Sequence, residues 1–516
     1  MLVTSPRPAA RPSARTLVRA LAGGAVAVLA LAGCVAPKEQ STPGAQDGWS
    51  IEAFYAQGVV WEECGDAECA TVRAPLDWDD PEEGGIDLAL KRHRATGPAD
   101  ERIGSLLINP GGPGASAVEY VDYAVESSFS DRLLAAYDVV GFDPRGVGSS
   151  SAVECGDDAG VDEFLTSYRA IEDQASLDAA REEVRAFGER CVEDTGPLIG
   201  EIDTVSAARD LDLLRALLGD EQLHYAGFSY GTFLGAVYAD LYPDRVGRLL
   251  LDGALDPSNS VEELVIGQAE GFEDALRAYV EYCLAGQGCP LTGDVDDGMA
   301  QIAALMDGIA ERPLRAGGGR DLNLTMAFYG LVVTLYDDES WSYLTMALEE
   351  ALGSDSGEVF LQLANLYLDR EPDGTFGTNS MIAFTAINCL DYPAEELSYD
   401  ELEALAAQVE EVAPTFGRTF VMDAGCESWP VEPVGERDTV DAPGAAPILV
   451  VGTTGDPATP YEWSVALAEQ LESGTLLTWE GEGHTAYGRG DACVTETVDA
   501  YLVDGVVPED GAVCGR

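Results

Sequence analysis

The hydrophobic residues of this chain fall into two rhythms. Short apolar runs, each stopped by a glycine or proline turn, read as buried strands. They lie at 105–108 before Asn109-Pro110-Gly111-Gly112, at 137–142 before Asp143-Pro144-Arg145-Gly146, and at 222–227, 248–252 and 447–452. Between them the apolar positions recur at helical spacing. The segment 204–218 puts Ala208, Leu211, Leu214, Leu217 and Leu218 on one face, and 232–242 resumes a helix that stops at Pro243. Strand, helix, strand in that order predicts an α/β fold with a doubly wound, mostly parallel sheet. From 258 to 444 the helical period takes over, as in 261–284, 326–336 and 342–352, and few strands are convincing. This predicts a mainly helical cap inserted into the core, whose two parts are then 51–257 and 445–516. No internal repeat is visible.

The first 50 residues follow neither rhythm. Arg7, Arg11, Arg15 and Arg19 precede a short apolar stretch, 21–31, that is too brief for an ordinary membrane span. It ends in Leu31-Ala32-Gly33-Cys34, similar to the lipobox of bacterial lipoproteins, in which the signal is cut before the cysteine and the thiol is acylated. The expectation is a signal peptide at 1–33, lipidation at Cys34, and a polar, Pro/Gly-containing linker to residue 50. One lipid anchor would hold the protein on the outer face of a membrane.

Charge and cysteine count agree with export. The 516 residues carry 92 acids against 29 Lys and Arg, a formal net charge of -63, which excludes nucleic acid as a partner. So acidic a chain is read first as a solvated surface and only second as a preference for cationic or neutral substrates. With 46% hydrophobic residues a full core is assured. Setting Cys34 aside leaves an even set of cysteines in close succession. The simplest pairing is Cys64 with Cys69, Cys155 with Cys191, Cys283 with Cys289, Cys389 with Cys426, and Cys493 with Cys514, although sequence alone does not fix connectivity. Three histidines and no CxxC pair argue against a zinc site, and no metal is expected.

The strongest chemical signal is Gly227-Phe228-Ser229-Tyr230-Gly231, a G-x-S-x-G turn with a strand-like run before it and a helix after it. That context makes Ser229 the nucleophile. A serine hydroxyl needs a base, and only His93, His224 and His484 are available. His93 lies in an early basic strand, and His224 lies within the strand leading to Ser229, where core packing is its role. His484, in the glycine-rich loop Gly481-Glu482-Gly483-His484, is free to reach an active site. Asp456 follows the run at 447–452 and completes the chain order Ser, Asp, His. Thr459, with Pro460 and Glu462 after it, reads as a helix cap rather than a catalytic residue; a supporting contact to the triad is the alternative. Two backbone donors are expected to form an oxyanion hole: the amide of Tyr230, and an amide from the turn 109–114, with Gly112 favoured and Gly111 next.

Taken together, NPGGPGAS at 109–116, GFDPRGVGSS at 141–150, GFSYGT at 227–232, LDGALDP at 251–257, GTTGDPATP at 452–460 and GEGH at 481–484 resemble the tripeptidyl aminopeptidases and proline iminopeptidases of the α/β-hydrolase superfamily, especially the secreted actinobacterial branch. The resemblance spans nearly the whole mature chain. It implies a serine peptidase that releases short N-terminal peptides, tripeptides foremost, through an acyl-enzyme on Ser229, with Asp456 and His484 completing the triad. It implies a peptide substrate, no metal and no organic cofactor, and a monomer is expected. The proline iminopeptidase pattern commonly has His before the double glycine where this chain has Pro110, which weakens a strict prolyl assignment. Arg145 is expected in a structural ion pair. An exopeptidase also needs an anionic group for the substrate's amino terminus; Asp391 is one candidate, Glu119 and Glu126 are others. The same triad would serve a carboxylesterase or endopeptidase of the cell envelope. A non-catalytic binding or structural lipoprotein is disfavoured by the three triad residues in those contexts.

Overall fold

The computed structural model of the protein describes residues 48–515 apart from 422–424 and 436. The expected signal peptide, Cys34 and most of the linker therefore lie outside the described residues. The first strands, β1 (Glu62–Cys64), β2 (Ala67–Pro75) and β3 (Gly85–His93), form an antiparallel edge. β4 (Gly104–Asn109) and β5 (Tyr137–Phe142) follow, and all six residues of each are buried. β6 (Leu223–Phe228) and β7 (Val246–Asp252) complete the first part of the core. A two-stranded ribbon, β8 (Leu314–Arg315) with β9 (Asp321–Leu322), belongs to the helical segment. β10 (Ile448–Gly455), β11 (Gly474–Glu482) and β12 (Ala512–Gly515) then return to the main sheet. Its ten strands run in the order β1-β2-β3-β5-β4-β6-β7-β10-β11-β12. From β5 across to β12 every neighbouring pair is parallel. This is the mostly parallel, doubly wound sheet expected from the alternating runs. Strands buried on both faces read as continuous apolar stretches because helices cover both sides.

Several elements match the sequence pattern closely. The helix Thr204–Leu218 spans the expected residues, with Asp203 capping its N-terminus and Gly219 in the left-handed conformation after its end. Between β7 and β10 come helices Val261–Ala285, Val295–Glu311, Leu324–Val332, Trp341–Ser354, Glu358–Tyr367, Ser380–Asp391 and Tyr399–Val412. A second helical insertion escaped the sequence reading. Gln174–Thr195, between β5 and β6, packs against the end of the first insertion: a Cβ at Gly188 would lie 2.3 Å from Pro430 Cδ, and Arg181 donates to Leu397 O and Glu427. Its charged faces dilute the apolar stripe, so the period alone did not mark it.

All five nearest-neighbour disulfides are present: Cys64–Cys69, Cys155–Cys191, Cys283–Cys289, Cys389–Cys426 and Cys493–Cys514. Five bridges fit an extracellular protein. Among the described residues no helix is long and apolar enough to cross a membrane. Arg145 is fully buried and forks onto Asp210 with Nε and Nη2, at 2.8 and 2.7 Å, while also donating to the carbonyls of Pro75, Leu76 and Glu201. It is the structural ion pair anticipated, tying the turn after β5 to the helix Thr204–Leu218.

Candidate active site

The site is built at the carboxyl ends of β4, β6, β7 and β10, where a parallel sheet leaves its loops on one edge. Ser229 lies between β6 and the helix Tyr230–Leu241, at φ 56° and ψ -126°. This strained conformation for a residue with a side chain lifts the hydroxyl out of the sheet. The turn closes because residue 227 is glycine, since a Cβ there would sit 2.3 Å from Gly231 O. Ser229 is half-buried, and its amide donates to Asp252 O at 3.0 Å, which locks the turn to the end of β7.

Asp456 follows β10 and is buried. His484 Nδ1 lies 2.8 and 2.9 Å from its two carboxylate oxygens. The same carboxylate accepts the amides of Ala458, Thr459 and Thr485. These bonds fix the carboxylate's orientation toward the Nδ1 edge of the imidazole. His484 is also fixed from the helical insertion. Its amide donates to Tyr336 O at 2.8 Å, and its ring stands edge-on to that of Tyr336 at 5.4 Å.

Thr459 is not the helix cap expected from its neighbours. The helix Tyr461–Gln470 has Pro460 at its cap position with no side-chain bond, while Thr459 Oγ1 lies 3.1 Å from Asp456 Oδ2 and 3.3 Å from His484 Nδ1. The Asp456 carboxylate is a stronger acceptor than the free amides of a helix end are donors, so the hydroxyl turns inward to the charge.

The glycine turn after β4 packs directly on Ser229. A Cβ at Gly111 would lie 2.8 Å from Ser229 Cβ and 3.1 Å from Tyr230 N. Glycine at 111 therefore keeps the Tyr230 amide open. The Gly111 amide itself is occupied, donating to Asn109 Oδ1 at 2.9 Å, so Gly111 is corrected from oxyanion donor to spacer. Gly112 is exposed and sits at φ 106° in the same turn.

The amino-terminus candidates separate. Asp391 is buried, and its oxygens accept the amide and hydroxyl of Thr204 at 2.8 and 2.6 Å. Thr204 Oγ1 in turn meets the Tyr230 hydroxyl at 2.5 Å. Burial pushes the Asp391 carboxyl up to about 7. Its place as a substrate anchor is therefore corrected: it seals an internal network behind the nucleophile helix and is closed to an incoming ammonium. Glu119 is exposed in the first turn of the helix Ala117–Tyr123, which opens directly after the glycine turn. Partial burial, with Asp369 and Asp143 nearby, raises its carboxyl above the ordinary value. Glu126 is exposed in the following turn. Of the other histidines, His93 Nε2 pairs with Asp122 Oδ1 at 2.7 Å. His224 is packed edge-on to Tyr137, and burial drives its imidazole down to about 4.

Sequence reading missed Asp252. It is fully buried at the end of β7, accepts the amides of Ala486 and Tyr487, and burial pushes its carboxyl up to about 7. Its only signal was the acid in LDGALDP at a strand's carboxyl end, one acid among 92.

A doubly wound, mostly parallel sheet with a strained G-x-S-x-G turn after β6, and with His484 paired to the buried Asp456 beyond β10 and β11, is the architecture of the α/β-hydrolases. The profile of the TAP-like protein family matches residues 413–514. Over 487 residues the chain is 38% identical to "Serine protease Hip1" of Mycobacterium tuberculosis strain H37Rv, covering 90% of this chain and 92% of that one. It is 37% identical over 494 residues to "Carboxylesterase B" of the same strain, covering 93% and 92%. It is 30% identical over 474 residues to "Tripeptidyl aminopeptidase" of Streptomyces lividans, covering 89% and 86%. The chain belongs to this tripeptidyl aminopeptidase-like family of α/β-hydrolases, and it is an enzyme, a serine hydrolase.

Proposed function

We propose that this protein is a serine peptidase that removes short peptides, tripeptides foremost, from the free amino termini of peptide substrates. The observation that carries the reading is the buried Asp456 carboxylate on His484 Nδ1 at 2.8 Å, beside the strained Ser229 turn. In the proposed reaction His484 Nε2 takes the Ser229 Oγ proton as the oxygen bonds to the scissile carbonyl carbon. The amides of Tyr230 and Gly112 stabilise the oxyanion. Collapse of the tetrahedral intermediate breaks the C–N bond, and His484 returns the proton to the leaving amine. Water, deprotonated by the same imidazole, then hydrolyses the ester and frees Ser229.

Glu119, at the lip of the oxyanion turn with Asp369 nearby, would hold the substrate's ammonium. Its raised pKa fits that role, because a cation brought between the two acids relieves their repulsion. The named activities of Hip1 and tripeptidyl aminopeptidase support a peptidase. A second reading, a carboxylesterase, is favoured by one observation. Phe384 and Tyr123 are 39% and 59% exposed, on helices that flank the glycine turn, and would offer an apolar surface to an acyl chain. The relative named carboxylesterase is consistent with it.

The test compares a tripeptidyl p-nitroanilide bearing a free amino terminus with its N-acetylated twin and with a short-chain p-nitrophenyl ester, using the exported full chain and Ser229→Ala. Cleavage of the free form at least tenfold faster than the acetylated form, lost in Ser229→Ala, is the expected result. Equal rates on both amides, or turnover of the ester alone, would replace the aminopeptidase reading with endopeptidase or esterase. The proposal places the enzyme on the outer membrane face through acylated Cys34. In an exporting host Cys34→Ala should move it from the membrane pellet to the medium, and no change in distribution would reject the anchor.

A further inference from the structure

The loop carrying His484 spends four successive amides on three parts of the molecule. His484 N–H donates to Tyr336 O at 2.8 Å, and Thr485 N–H to Asp456 Oδ2 at 3.1 Å. Ala486 N–H reaches both oxygens of Asp252, at 3.0 and 3.1 Å, and Tyr487 N–H reaches Asp252 Oδ2 at 2.7 Å. Thr485 itself is held at φ 65°, a left-handed conformation that a β-branched residue resists. The loop is thus bent around two buried carboxylates, as successive amides bend around an anion in a backbone nest. Asp456 has a part in the proposed triad. Asp252 has none.

Asp252 is nevertheless fastened to both reacting groups. Its carbonyl accepts the Ser229 amide at 3.0 Å, so its main chain fixes the nucleophile turn. Its side chain fixes the two amides directly after the His484–Thr485 bend. Its successor Gly253 lies in the same gap, since a Cβ there would stand 3.3 Å from His484 Cε1 and 3.1 Å from Thr459 Oγ1. One residue at the end of a rigid central strand therefore spans from the nucleophile's backbone to the base's loop.

The chemistry is unusual for a residue that only packs. The carboxylate is fully buried, and the groups acting on it include Asp456, which pushes its pKa up, and His484, which pulls it down. Burying a carboxylate costs stability, and a second carboxylate nearby adds to that cost. Two charge-assisted amide bonds offset it only in part, as the carboxyl's rise to about 7 reflects. What the charge adds over a neutral side chain is the strength of its bonds to two successive amides, on the loop that must place an imidazole to within a fraction of an ångström.

We propose that Asp252 is a positioning residue for catalysis: its ionised carboxylate holds the 485–487 bend so that His484 stays aligned with Ser229. The inference rests on Ser229 and His484 as the reacting pair. Protonation removes the charge that strengthens both amide bonds and turns one of the oxygens they share into a hydroxyl donor. The loop then relaxes, and proton transfer slows although both reacting groups are intact.

The test uses the exported full chain, Asp252→Asn, Asp252→Ser and Ser229→Ala. Each is reacted with an alkyl fluorophosphonate, which bonds phosphorus to Ser229 Oγ with loss of fluoride and whose rate needs the base whatever the natural substrate. Intact mass counts the labelled sites. The expected result for the folded Asp252 variants is full labelling at long times with a rate constant at least 20-fold below the parent. The p-nitroanilide or ester kcat per labelled site should fall in parallel, with KM within threefold. A rate constant per labelled site within twofold of the parent overturns the proposal, because a purely structural residue would change how much enzyme folds and not how fast each folded site reacts. Labelling that persists in Ser229→Ala would instead refute the underlying site reading. Should neither Asp252 variant fold, the parent's own acid limb decides. A fall in phosphonylation steeper than one proton supports a second ionised group beside His484, and a one-proton limb removes it.

Discussion

At the scale of single residues, chemistry here depends on what each backbone position excludes as much as on what each side chain supplies. Gly111 illustrates this. Its amide is already bound to Asn109, yet the space where its Cβ would stand is the approach to the Tyr230 amide and to Ser229. Gly111→Ala would also place a side chain at φ 99°, which L residues rarely adopt. The expected result is a loss of kcat/KM of about 100-fold or more, in the range of a lost oxyanion donor. Thermal midpoint should fall only modestly, and steady-state kinetics beside differential scanning fluorimetry check both. Retention of more than a tenth of the parent's kcat/KM would show that the turn tolerates a methyl group and that Tyr230 does not need the open approach. Thr459 makes the complementary point. A cap motif in sequence became a ligand of the Asp456 carboxylate because a buried charge attracts any hydroxyl within reach.

At the scale of elements, the histidine loop and the helical insertion act as one piece. Gly483 bridges to Asp337, His484 N–H binds Tyr336 O, and Arg489 Nη2 donates to Asp337 and Asp338 while its Nη1 donates to Glu482 O. The segment 336–338 therefore holds the loop that carries His484. Arg489→Leu keeps the aliphatic stem and removes the clamp. Because the partner acids are part-exposed, stability should change by no more than about 1 kcal/mol. Turnover should fall about three- to tenfold through looser placement of His484. A parallel salt titration of the parent should show a smaller loss in the same direction, since salt screens the clamp. Unchanged turnover in Arg489→Leu would mean the Tyr336 carbonyl alone holds the loop.

At the scale of the whole molecule, pH should pull stability and activity in opposite directions. Asp252, Asp391 and Glu201 are each pushed up to about 7, mainly by burial. In the unfolded chain such carboxyls titrate near 4. Between about 4 and 7 the native state therefore binds more protons than the unfolded state, and stability rises as pH falls through that window. Lower net charge, from -63 at pH 7, acts the same way. Carboxylates held below their ordinary value by arginines, such as Asp162, Asp212 and Glu68, begin to lose their contribution only under more acidic conditions. The expected outcome is a thermal midpoint a few degrees higher at pH 5.5 than at pH 8, with lower turnover at pH 5.5. A midpoint that drops steadily from pH 8 to pH 5.5 would contradict the assignment of these three as reluctantly ionised groups.

The chain's own pattern was enough for the α/β class, the strands at 137–142 and 248–252, the helix at 204–218 and the G-x-S-x-G turn, and it made the neighbouring cysteine pairs the simplest choice, which the structure bears out. Each of these is written in contiguous residues: an apolar run, a 3.6-residue period, a pentapeptide, a short cysteine spacing. The helix Gln174–Thr195, the turn of Thr459 toward Asp456, the loss of Asp391 to an internal network and the reach of Asp252 were decided only when distant segments met. The physical reason is the same in every case. Local pattern reports which residues will be buried and in what periodic form, whereas the partner of a buried polar group is chosen by tertiary proximity. Among 92 acids, sequence could mark where a carboxylate stood but not which amide or imidazole it would be left to satisfy.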